Sequence, residues 1–384
     1  MCPLNSPSRA AVLNTEKAVR ERYAEAALER EPTLCCPVDY DAKYLRAIPQ
    51  EVIDRDYGCG DPSKHVREGE TVLDLGSGGG KICFIASQVV GPEGRVIGVD
   101  LNDEMLSLAR QSQASVATNV GYDNIEFRKG KIQDLAVDRD AVDRFLSEHP
   151  VQDEIGLRSL EQYLEAMRTT DPMIVDESID IVVSNCVLNL VASDEKEHLF
   201  DEIFRVLRPG GRAVISDIVC DREVPFEMQL DAELWSGCLS GAFERSAFLE
   251  AFEQAGFVDI RIQHLQSQPW QTIDGIDFRS VTVIAYRPDL VSEGDELIEQ
   301  TAEYLRSQDS VRRVYQGPFK YVVDDEGRMY TRGETCEEAL AQAARREALA
   351  DQFAVYDAGV AESLAIPSAT LPMAGDGCCG GESC

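Results

Sequence analysis

The stretch T-V-L-D-L-G-S-G-G-G-K-I-C-F-I-A-S-Q-V-V-G-P-E-G-R-V-I-G-V-D, residues 71–100, decides the fold. An apolar run meets a glycine cluster, a helical stretch follows, and a second β-branched run ends on Asp100. This order predicts a strand, a loop, a helix and a second strand. The glycines Gly76, Gly78 and Gly80 allow the backbone to approach a ligand closely at a helix N-terminus. The carboxylate of Asp100, at the tip of the second strand, is placed to accept hydrogen bonds from two ribose hydroxyls.

The spacing of the glycines separates two classes of nucleotide cofactor. A dinucleotide site requires G-x-G-x-x-G, whose third glycine would fall at the position that Lys81 occupies. The pattern D-x-G-x-G-x-G, with Asp74 inside the strand, resembles instead the first motif of the class I S-adenosylmethionine-dependent methyltransferases. The later V-L-R-P-G-G-R at 206–212 resembles the helix-to-strand turn of the same superfamily.

Strand and helix patterns alternate along the following residues. This alternation predicts an α/β fold with a doubly wound, Rossmann-like sheet of seven mostly parallel strands and helices on both faces. After the first two strands we expect further strands at 125–129, 179–184, 213–218, 257–264 and 278–286. Helices are expected at 14–31, 103–117 and 194–207, and a charged helical insertion at 136–176, beside the mouth of the ligand site.

Charge and hydropathy exclude several classes of partner. The net charge of -32, from 69 acidic and 37 basic residues, would repel phosphate backbones and anionic headgroups, so we expect neither nucleic acid nor membrane as a partner. No apolar run approaches the span of a bilayer, and the N-terminus lacks the apolar core of a signal peptide. These features predict a cytoplasmic protein.

Cysteine is the unusual component of the composition, with twelve residues. In a reducing compartment so many thiols are not expected to form a disulfide framework, and no C-x-x-C pair announces a zinc site. Cys186 follows the fourth predicted strand, Cys238 follows the fifth, and Cys59 precedes the first. Ligands of open α/β sheets bind beyond the carboxyl ends of the strands, so these three thiols can meet at the cofactor. Three thiolates there indicate a soft, thiophilic acceptor.

Three motifs make the resemblance more specific. Y-G-C-G at 57–60, S-N-C-V-L-N-L at 184–190 and W-S-G-C-L-S-G-A at 235–242 are similar, in that order, to those of the arsenite methyltransferase family, over about residues 35–285. The resemblance implies methylation of arsenite and methylarsenite, with Cys59, Cys186 and Cys238 as arsenic ligands. It also implies that Cys35 or Cys36 closes a disulfide with Cys59 during turnover, and that thioredoxin or glutathione resets the pair.

The resemblance likewise implies contacts to S-adenosylmethionine. The candidates come from the glycine loop, the end of the second strand, the loop G-K-I-Q-D-L at 130–135 and the end of the fourth strand: Asp74, Gly76, Ser77, Gly78, Gly80, Asp100, Leu101, Met105, Ile132, Gln133 and Asn185. Met105 also suits helix packing. The remaining cysteines Cys83, Cys220 and Cys336 are interpreted as small buried hydrophobes.

Changes in composition and the placement of the motifs divide the chain into five parts. They are an N-terminal helical segment carrying cysteines (1–66), a cofactor-binding Rossmann-like domain (67–222), an arsenic-binding region that completes the sheet (223–287), a small α+β accessory domain (288–350) and a cysteine-containing tail (351–384). The accessory domain is expected to contain a β-hairpin at 313–330 and an Ala-rich helix at 336–352.

Two alternatives remain open at the level of sequence. A methyltransferase acting on a quinone or an amine would share the fold but leave the three thiols unexplained. A metalloid-binding protein without catalysis would account for the tail G-D-G-C-C-G-G-E-S-C. The sequence leaves open the number of methyl groups transferred, the choice between Cys35 and Cys36, the preference for arsenic over antimony or selenium, the role of the tail and the oligomeric state.

Overall fold

The computed structural model describes residues 9–31, 38–288, 312–316, 319–323 and 329–331. The chain divides into two compact units, Met1–Phe257 with Gln263–Pro288, and Val258–Ile262 with Asp289–Cys384. In the parts that the structure describes, no helix is both long and apolar enough to cross a membrane.

The first unit is built on a sheet with helices between its strands. The strands are β1 (Thr71–Leu75), β2 (Arg95–Asp100), β3 (Ile125–Lys129), β4 (Ile179–Asn185), β5 (Leu207–Cys220), β6 (Phe243–Glu244), β7 (Val258–Leu265, shared with the second unit), β8 (Gln271–Ile273) and β9 (Ile276–Tyr286). The helices are α1 (Arg9–Leu28), α2 (Ala42–Leu45), α3 (Gln50–Asp54), α4 (Lys81–Val90), α5 (Asp103–Val120), α6 (Arg139–Glu148), α7 (Glu154–Thr170), α8 (Lys196–Val206), α9 (Phe226–Gln229), α10 (Ala232–Ser236) and α11 (Arg245–Gln254).

The sheet has the strand order β3-β2-β1-β4-β5-β9, and residues 263–265 of β7 lie next to β9 as the seventh strand. The first five strands are parallel, and β9 is antiparallel to β5. The strand order reverses between β1 and β4, which is where such sheets bind ligands. This arrangement confirms the predicted α/β fold with a Rossmann-like sheet.

Apolar runs and helix caps explain why these elements form. Residues of β1 and β4 are almost entirely buried, because helices cover both faces of a parallel sheet. Helix α5 begins where the Asn102 side chain accepts hydrogen bonds from the amides of Glu104 and Met105. Helices α6 and α7 are capped in the same way by Asp138 and Asp153.

The strand β5 differs most from its predicted form. It was expected at 213–218, after a turn at Pro209-Gly210-Gly211, but it already begins at Leu207. Ile179 pairs with Leu207 and Ile181 pairs with Arg212, so the extra residues form a bulge, which contains Gly210 at a φ of 75°. The motif therefore bends a strand instead of ending before one.

Three short strands of the second unit are described: β10 (Arg312–Gln316), β11 (Phe319–Val323) and β12 (Met329–Thr331). Both β10 and β12 pair with β11 in antiparallel fashion, which agrees with the hairpin expected at 313–330. Within the same unit, Arg261 of β7 pairs with Phe319. The helix expected at 336–352 and the cysteines of the tail lie outside the described residues.

Candidate active site

A cleft opens at the carboxyl ends of β1, β2 and β4. Its lining includes ten of the eleven residues predicted to contact a cofactor: Asp74, Gly76, Ser77, Gly78, Asp100, Leu101, Met105, Ile132, Gln133 and Asn185. The insertion predicted at 136–176 forms α6 and α7, and none of its residues lines this cleft. The sheet edge, not the insertion, therefore forms the site.

The glycine loop shapes one wall of the cleft. The amides of Gly76 and Ser77 donate to the carbonyl oxygen of Val99 at 2.8 and 3.0 Å, which fastens the loop to β2. Gly78 has a φ of 51°, and a Cβ placed there would find only the Met105 sulfur, 3.9 Å away. The loop thus leaves a cradle that a side chain would fill.

The eleventh predicted residue, Gly80, serves packing. It is the N-cap of α4 with a φ of 89°, and a Cβ at this position would lie 2.7 Å from the ring of Phe127. Only glycine combines this backbone conformation with so close an approach. Its contribution to the site is therefore to seat the helix that follows the loop.

Asp100 connects the glycine loop to the second strand. One carboxylate oxygen accepts the amide of Gly78 and the other accepts the amide of Asn102, both at 2.8 Å. Burial raises the pKa of Asp100, and these two backbone amides oppose that shift. Each oxygen retains a further lone pair, so the carboxylate can still accept hydrogen bonds from two ligand hydroxyls.

Asp74 lies deeper, with 2% of its surface exposed. The thiol of Cys83 donates to its carboxyl group at 3.2 Å. Burial raises the pKa of Asp74 to about 8, against the effect of the Cys83 hydrogen bond, and the charges of Asp56 and Asp100 add to the rise. Without a ligand, Asp74 is therefore mostly protonated at neutral pH.

The three predicted ligand cysteines converge beside this cleft. Cys59, Cys186 and Cys238 are each 5–6% exposed and pack in one apolar cluster. Cys186 also lines the cleft, and the Cys238 thiol donates to the Cys186 carbonyl oxygen at 3.2 Å. Cys83 and Cys220 are buried, as predicted.

Two of the three cysteines are joined. Cys59 and Cys186 form a disulfide with their Cα atoms 5.9 Å apart. The partner of Cys59 implied by the resemblance, Cys35 or Cys36, lies outside the described residues, so the bond to Cys186 is a pairing that the motifs did not indicate. Among the described residues no group of three or more His, Cys, Asp or Glu is arranged to hold a metal ion. In this state the cluster is oxidised, and reduction would be needed before three thiolates are available.

The backbone at two of these cysteines is strained. Cys186 and Cys238 have φ values of 59° and 61°, in the left-handed region that non-glycine residues rarely adopt. Such conformations persist where the surroundings impose them, and they occur most often at functional sites. The sequence does not indicate this backbone conformation, because cysteine is not one of the residues that commonly adopt it, as glycine, asparagine and aspartate are.

Helix α1 contributes lining residues that the motifs did not identify. Val19, Arg20 and Tyr23 face the cleft, and the Tyr23 hydroxyl lies 3.8 Å from the Cys238 sulfur. Asn102 donates to the carbonyl oxygen of Arg20 at 3.1 Å. The helix therefore contacts the cofactor side and the thiol side at once, and an aromatic residue in an Ala- and Glu-rich helix was the available signal.

Comparisons with known proteins agree with this geometry. The family described as a methyltransferase domain matches residues 66–164 and 161–256, and a domain of unknown function matches residues 301–366. The arsenite methyltransferase of Halobacterium salinarum is 35% identical over 272 residues, which cover 65% of this chain and 58% of that protein. That of Aquipseudomonas alcaligenes is 33% identical over 244 residues, covering 62% and 60%. The chain thus spans about three fifths of the length of these relatives.

A solved structure shows the same likeness. The crystal structure of an arsenic(III) S-adenosylmethionine methyltransferase from Chlamydomonas reinhardtii superposes with a TM-score of 0.52 at 29% identity, covering 66% of this chain and 75% of that one. In sequence and in fold the chain is similar to these arsenite methyltransferases, and residues 66–256 match a methyltransferase domain.

Proposed function

We propose that this protein transfers a methyl group from S-adenosylmethionine to trivalent arsenic held by cysteine thiolates. The observation that carries the proposal is that Cys186 forms part of the same cleft wall as the glycine loop and Asp100. Cys59 and Cys238 pack against Cys186, so an acceptor held by these sulfurs would face a ligand in the cleft. The names borne by the relatives support the same substrate.

The residues of the cleft fit the cofactor. The cradle at Gly78 gives room for a ligand against the backbone, and Asp100 can accept two ribose hydroxyls. When bound, S-adenosylmethionine supplies an electrophilic methyl group on a positively charged sulfur. The carboxyl groups of Asp74 and Asp100 both line the cleft and can balance positive charge there.

The thiols fit a soft acceptor. Sulfur ligands select soft centres, and arsenite can exchange its three hydroxyls for three thiolates. The Cys59–Cys186 disulfide must first be opened by two electrons and two protons from an external thiol, such as glutathione or thioredoxin. The cysteines then aim the arsenic lone pair at the methyl carbon, so orientation and not a general base is their contribution.

Turnover requires a second redox step. Methyl transfer raises arsenic formally from the trivalent to the pentavalent state, and two cysteine thiolates can return it by closing a disulfide. The Cys59–Cys186 disulfide supports these two thiols as one pair that can supply both electrons. Cys59 with Cys35 or Cys36 is the other. Glutathione or thioredoxin would reset the pair, and arsenic detoxification is the biological role that we propose.

The test is one assay containing purified protein, arsenite, S-adenosylmethionine and glutathione, with arsenic species separated by chromatography. Methylated arsenicals appearing in step with S-adenosylhomocysteine are expected. Cofactor consumption with another acceptor but never with arsenite would favour a quinone or amine methyltransferase. Stoichiometric arsenic binding without cofactor consumption would favour a sequestration protein.

A further inference from the structure

The segment Asn185-Cys186-Val187-Leu188-Asn189 has one asparagine directly before Cys186 and a second one three residues after it. We propose that Asn185 and Asn189 are positioning residues that set the separation of the three thiols, Asn185 by holding the Cys59 segment and Asn189 by holding the Cys238 segment. The proposal rests on the proposed function for its arsenic ligands, but the contacts that support it are independent of that function.

The Asn185 amide is fully engaged with the loop that carries Cys59. Its oxygen accepts the amides of Cys59 and Gly60 at 2.9 and 3.0 Å. Its nitrogen donates to the Gly60 carbonyl oxygen at 2.8 Å and to the Tyr40 hydroxyl at 3.2 Å. An amide side chain offers two donors and two acceptor positions, so all four are used within the protein.

The Cys59 loop also lies directly on this amide. A Cβ added to Gly58 would fall 2.0 Å from the Asn185 nitrogen, so the backbone approaches the side chain as closely as glycine permits. Because Asn185 ends β4 and directly precedes Cys186, it fixes the Cys59 backbone relative to Cys186. Asn185 lines the cleft, but its hydrogen bonds serve the thiol loop.

Asn189 makes the corresponding contacts on the other side. Its nitrogen donates to the Asp217 carboxylate at 2.8 Å, to the Ile218 carbonyl oxygen at 2.7 Å and, more weakly, to the Cys238 carbonyl oxygen at 3.3 Å. The side chain is 1% exposed. Asp217 also accepts the Leu188 amide at 2.9 Å. One buried amide thereby joins the loop after Cys186, strand β5 and the Cys238 segment.

These contacts explain the unusual backbone at both cysteines. Cys186 and Cys238 are held in the left-handed region, which needs external restraint. The Cys186 amide donates to the Ser216 carbonyl oxygen at 2.8 Å, and Asn189 restrains the chain three residues later and at Cys238 itself. Removing Asn189 would let both backbones relax, and the two sulfurs would no longer be held together.

The two asparagines therefore affect different ligand sets. An arsenical with one carbon substituent takes two thiolates, whereas arsenite takes three. Loss of Asn189 disturbs the Cys186 and Cys238 pair and so weakens the binding of both kinds of arsenical. Loss of Asn185 disturbs only the Cys59 segment. This weakens arsenite binding and also lowers the effective concentration of Cys59 at Cys186.

The experiment compares Asn185→Ala, Asn189→Ala and the matched control Asn124→Ala. Asn124 also makes three side-chain hydrogen bonds, to Ser87, Gly91 and Gly94, but lies away from the thiols. Binding of phenylarsine oxide and of arsenite is measured on reduced full-length protein without cofactor. The Cys59–Cys186 disulfide equilibrium is measured separately in dithiothreitol buffers without arsenic, and the dissociation constant of S-adenosylmethionine by calorimetry.

Relative to the control, Asn189→Ala should weaken the binding of phenylarsine oxide by about tenfold or more, as is usual when groups that orient a ligand residue are removed. Asn185→Ala should keep the affinity for phenylarsine oxide but weaken the binding of arsenite by about tenfold. It should also shift the disulfide equilibrium toward the dithiol by a similar factor. Cofactor affinity should stay at the control value in Asn189→Ala, because Asn189 does not line the cleft.

Equal behaviour of all three variants would overturn the proposal, as would weaker cofactor binding in Asn185→Ala with an unchanged disulfide equilibrium. Failure of the proposed function gives a different result. If the wild type binds arsenicals without methylating them, or binds none while Asn185→Ala still shifts the disulfide equilibrium, the positioning role stands and the methyltransferase assignment does not.

Discussion

At the scale of single residues, Asp100 is the carboxylate that we propose for cofactor binding. It holds the Gly78 and Asn102 amides in addition to facing the cleft. Asp100→Ala should abolish measurable S-adenosylmethionine binding, because unpaired buried groups cost about 1–3 kcal/mol each. Phenylarsine oxide binding should persist. Calorimetry on Asp100→Ala beside Asp103→Ala, which removes an exposed carboxylate from the next turn, makes the comparison, and equal cofactor affinity in the two variants would contradict the assignment.

Asp74 gives a prediction about pH. Its pKa is raised from 3.8 to about 8 by burial, so the ligand-free protein loses stability from this group as pH rises through that window. A cationic ligand favours the ionised carboxylate, and binding should release a proton below pH 8. Cofactor affinity should therefore rise with pH and level off near pH 8.

The comparison variant is Asp74→Asn, which keeps an acceptor for the Cys83 thiol but cannot ionise. Its affinity for the cofactor should be lower and should depend less on pH. Calorimetry in buffers with different ionisation enthalpies counts the released protons. The same proton release from wild type and Asp74→Asn would mean that the cofactor's own amino group titrates and Asp74 does not.

The glycine loop and Asp100 could be predicted from sequence because each requirement is local. A close backbone approach requires glycine, and a carboxylate at the carboxyl end of a strand lies at the sheet edge where ligands bind. The left-handed backbone at Cys186 and Cys238 could not be predicted, because distant groups such as Asn189 and Asp217 impose it. The roles of the two asparagines were hidden for the same reason.

At the scale of elements, strands were easier to predict than the helix that covers the site. Strands β1, β2 and β4 are short, mostly buried runs, and β3 was predicted with its observed bounds. Helix α1 was expected at 14–31 but begins at Arg9. Its place over the cleft depends on contacts with α5 and α10, which are far away in sequence. An amphipathic pattern predicts a helix without naming its neighbours.

Tyr23 makes the position of α1 testable. Burial and the neighbouring Cys238 raise the Tyr23 pKa well above 10, so its hydroxyl stays protonated and can donate to a Cys238 thiolate. Tyr23→Phe keeps the ring contact with Tyr57 and removes the hydroxyl. Arsenite methylation should slow by roughly tenfold, the effect of losing one hydrogen bond to a charged group. Cofactor affinity should not change.

The matched control for this prediction is Tyr122→Phe, which removes a hydroxyl bonded to the Ser87 carbonyl oxygen. Rates are measured with saturating cofactor at neutral pH. If Tyr23→Phe turns over as fast as Tyr122→Phe, the hydroxyl has no part in preparing Cys238.

At the scale of the whole molecule, the site is assembled from segments that lie far apart in the chain. Cys59 and Cys186 are separated by 127 residues, yet they are bonded. The rule that ligands bind at the carboxyl ends of strands predicted the shared edge from sequence. It could not predict which thiols pair, because pairing depends on loop geometry and not on strand order.

Cys220 is a cysteine whose position near the three ligand candidates does not make it a ligand. It packs in the same apolar cluster as the three ligand candidates, but its thiol donates to the Phe243 carbonyl oxygen at 3.1 Å. Burial raises its pKa to about 12, so it remains a thiol at neutral pH and is a poor thiolate ligand. Membership of the cluster alone therefore does not assign a role, and Cys220→Ser provides a matched control for the ligand cysteines.

The last prediction separates the thiols by substrate. Arsenite needs three thiolates and methylarsenite needs two. We expect Cys186 and Cys238 to be the pair that both substrates use, because the Cys238 thiol donates to the Cys186 carbonyl oxygen at 3.2 Å, whereas Cys59 lies on a separate loop and takes part in the redox step. Cys186→Ser and Cys238→Ser should therefore lose both reactions, since serine cannot replace a soft sulfur ligand. Cys59→Ser, and one or both of Cys35→Ser and Cys36→Ser, should lose activity on arsenite.

The same variants at positions 35, 36 and 59 should still methylate methylarsenite when glutathione is supplied, because the remaining pair suffices and the external thiol provides the electrons. Each variant receives each substrate, and products are separated by chromatography with arsenic-specific detection. Cys220→Ser should keep both activities. If Cys59→Ser methylates arsenite as fast as Cys220→Ser, or if Cys186→Ser retains activity on methylarsenite, the third thiol is not reserved for the first methylation and the division of roles is wrong.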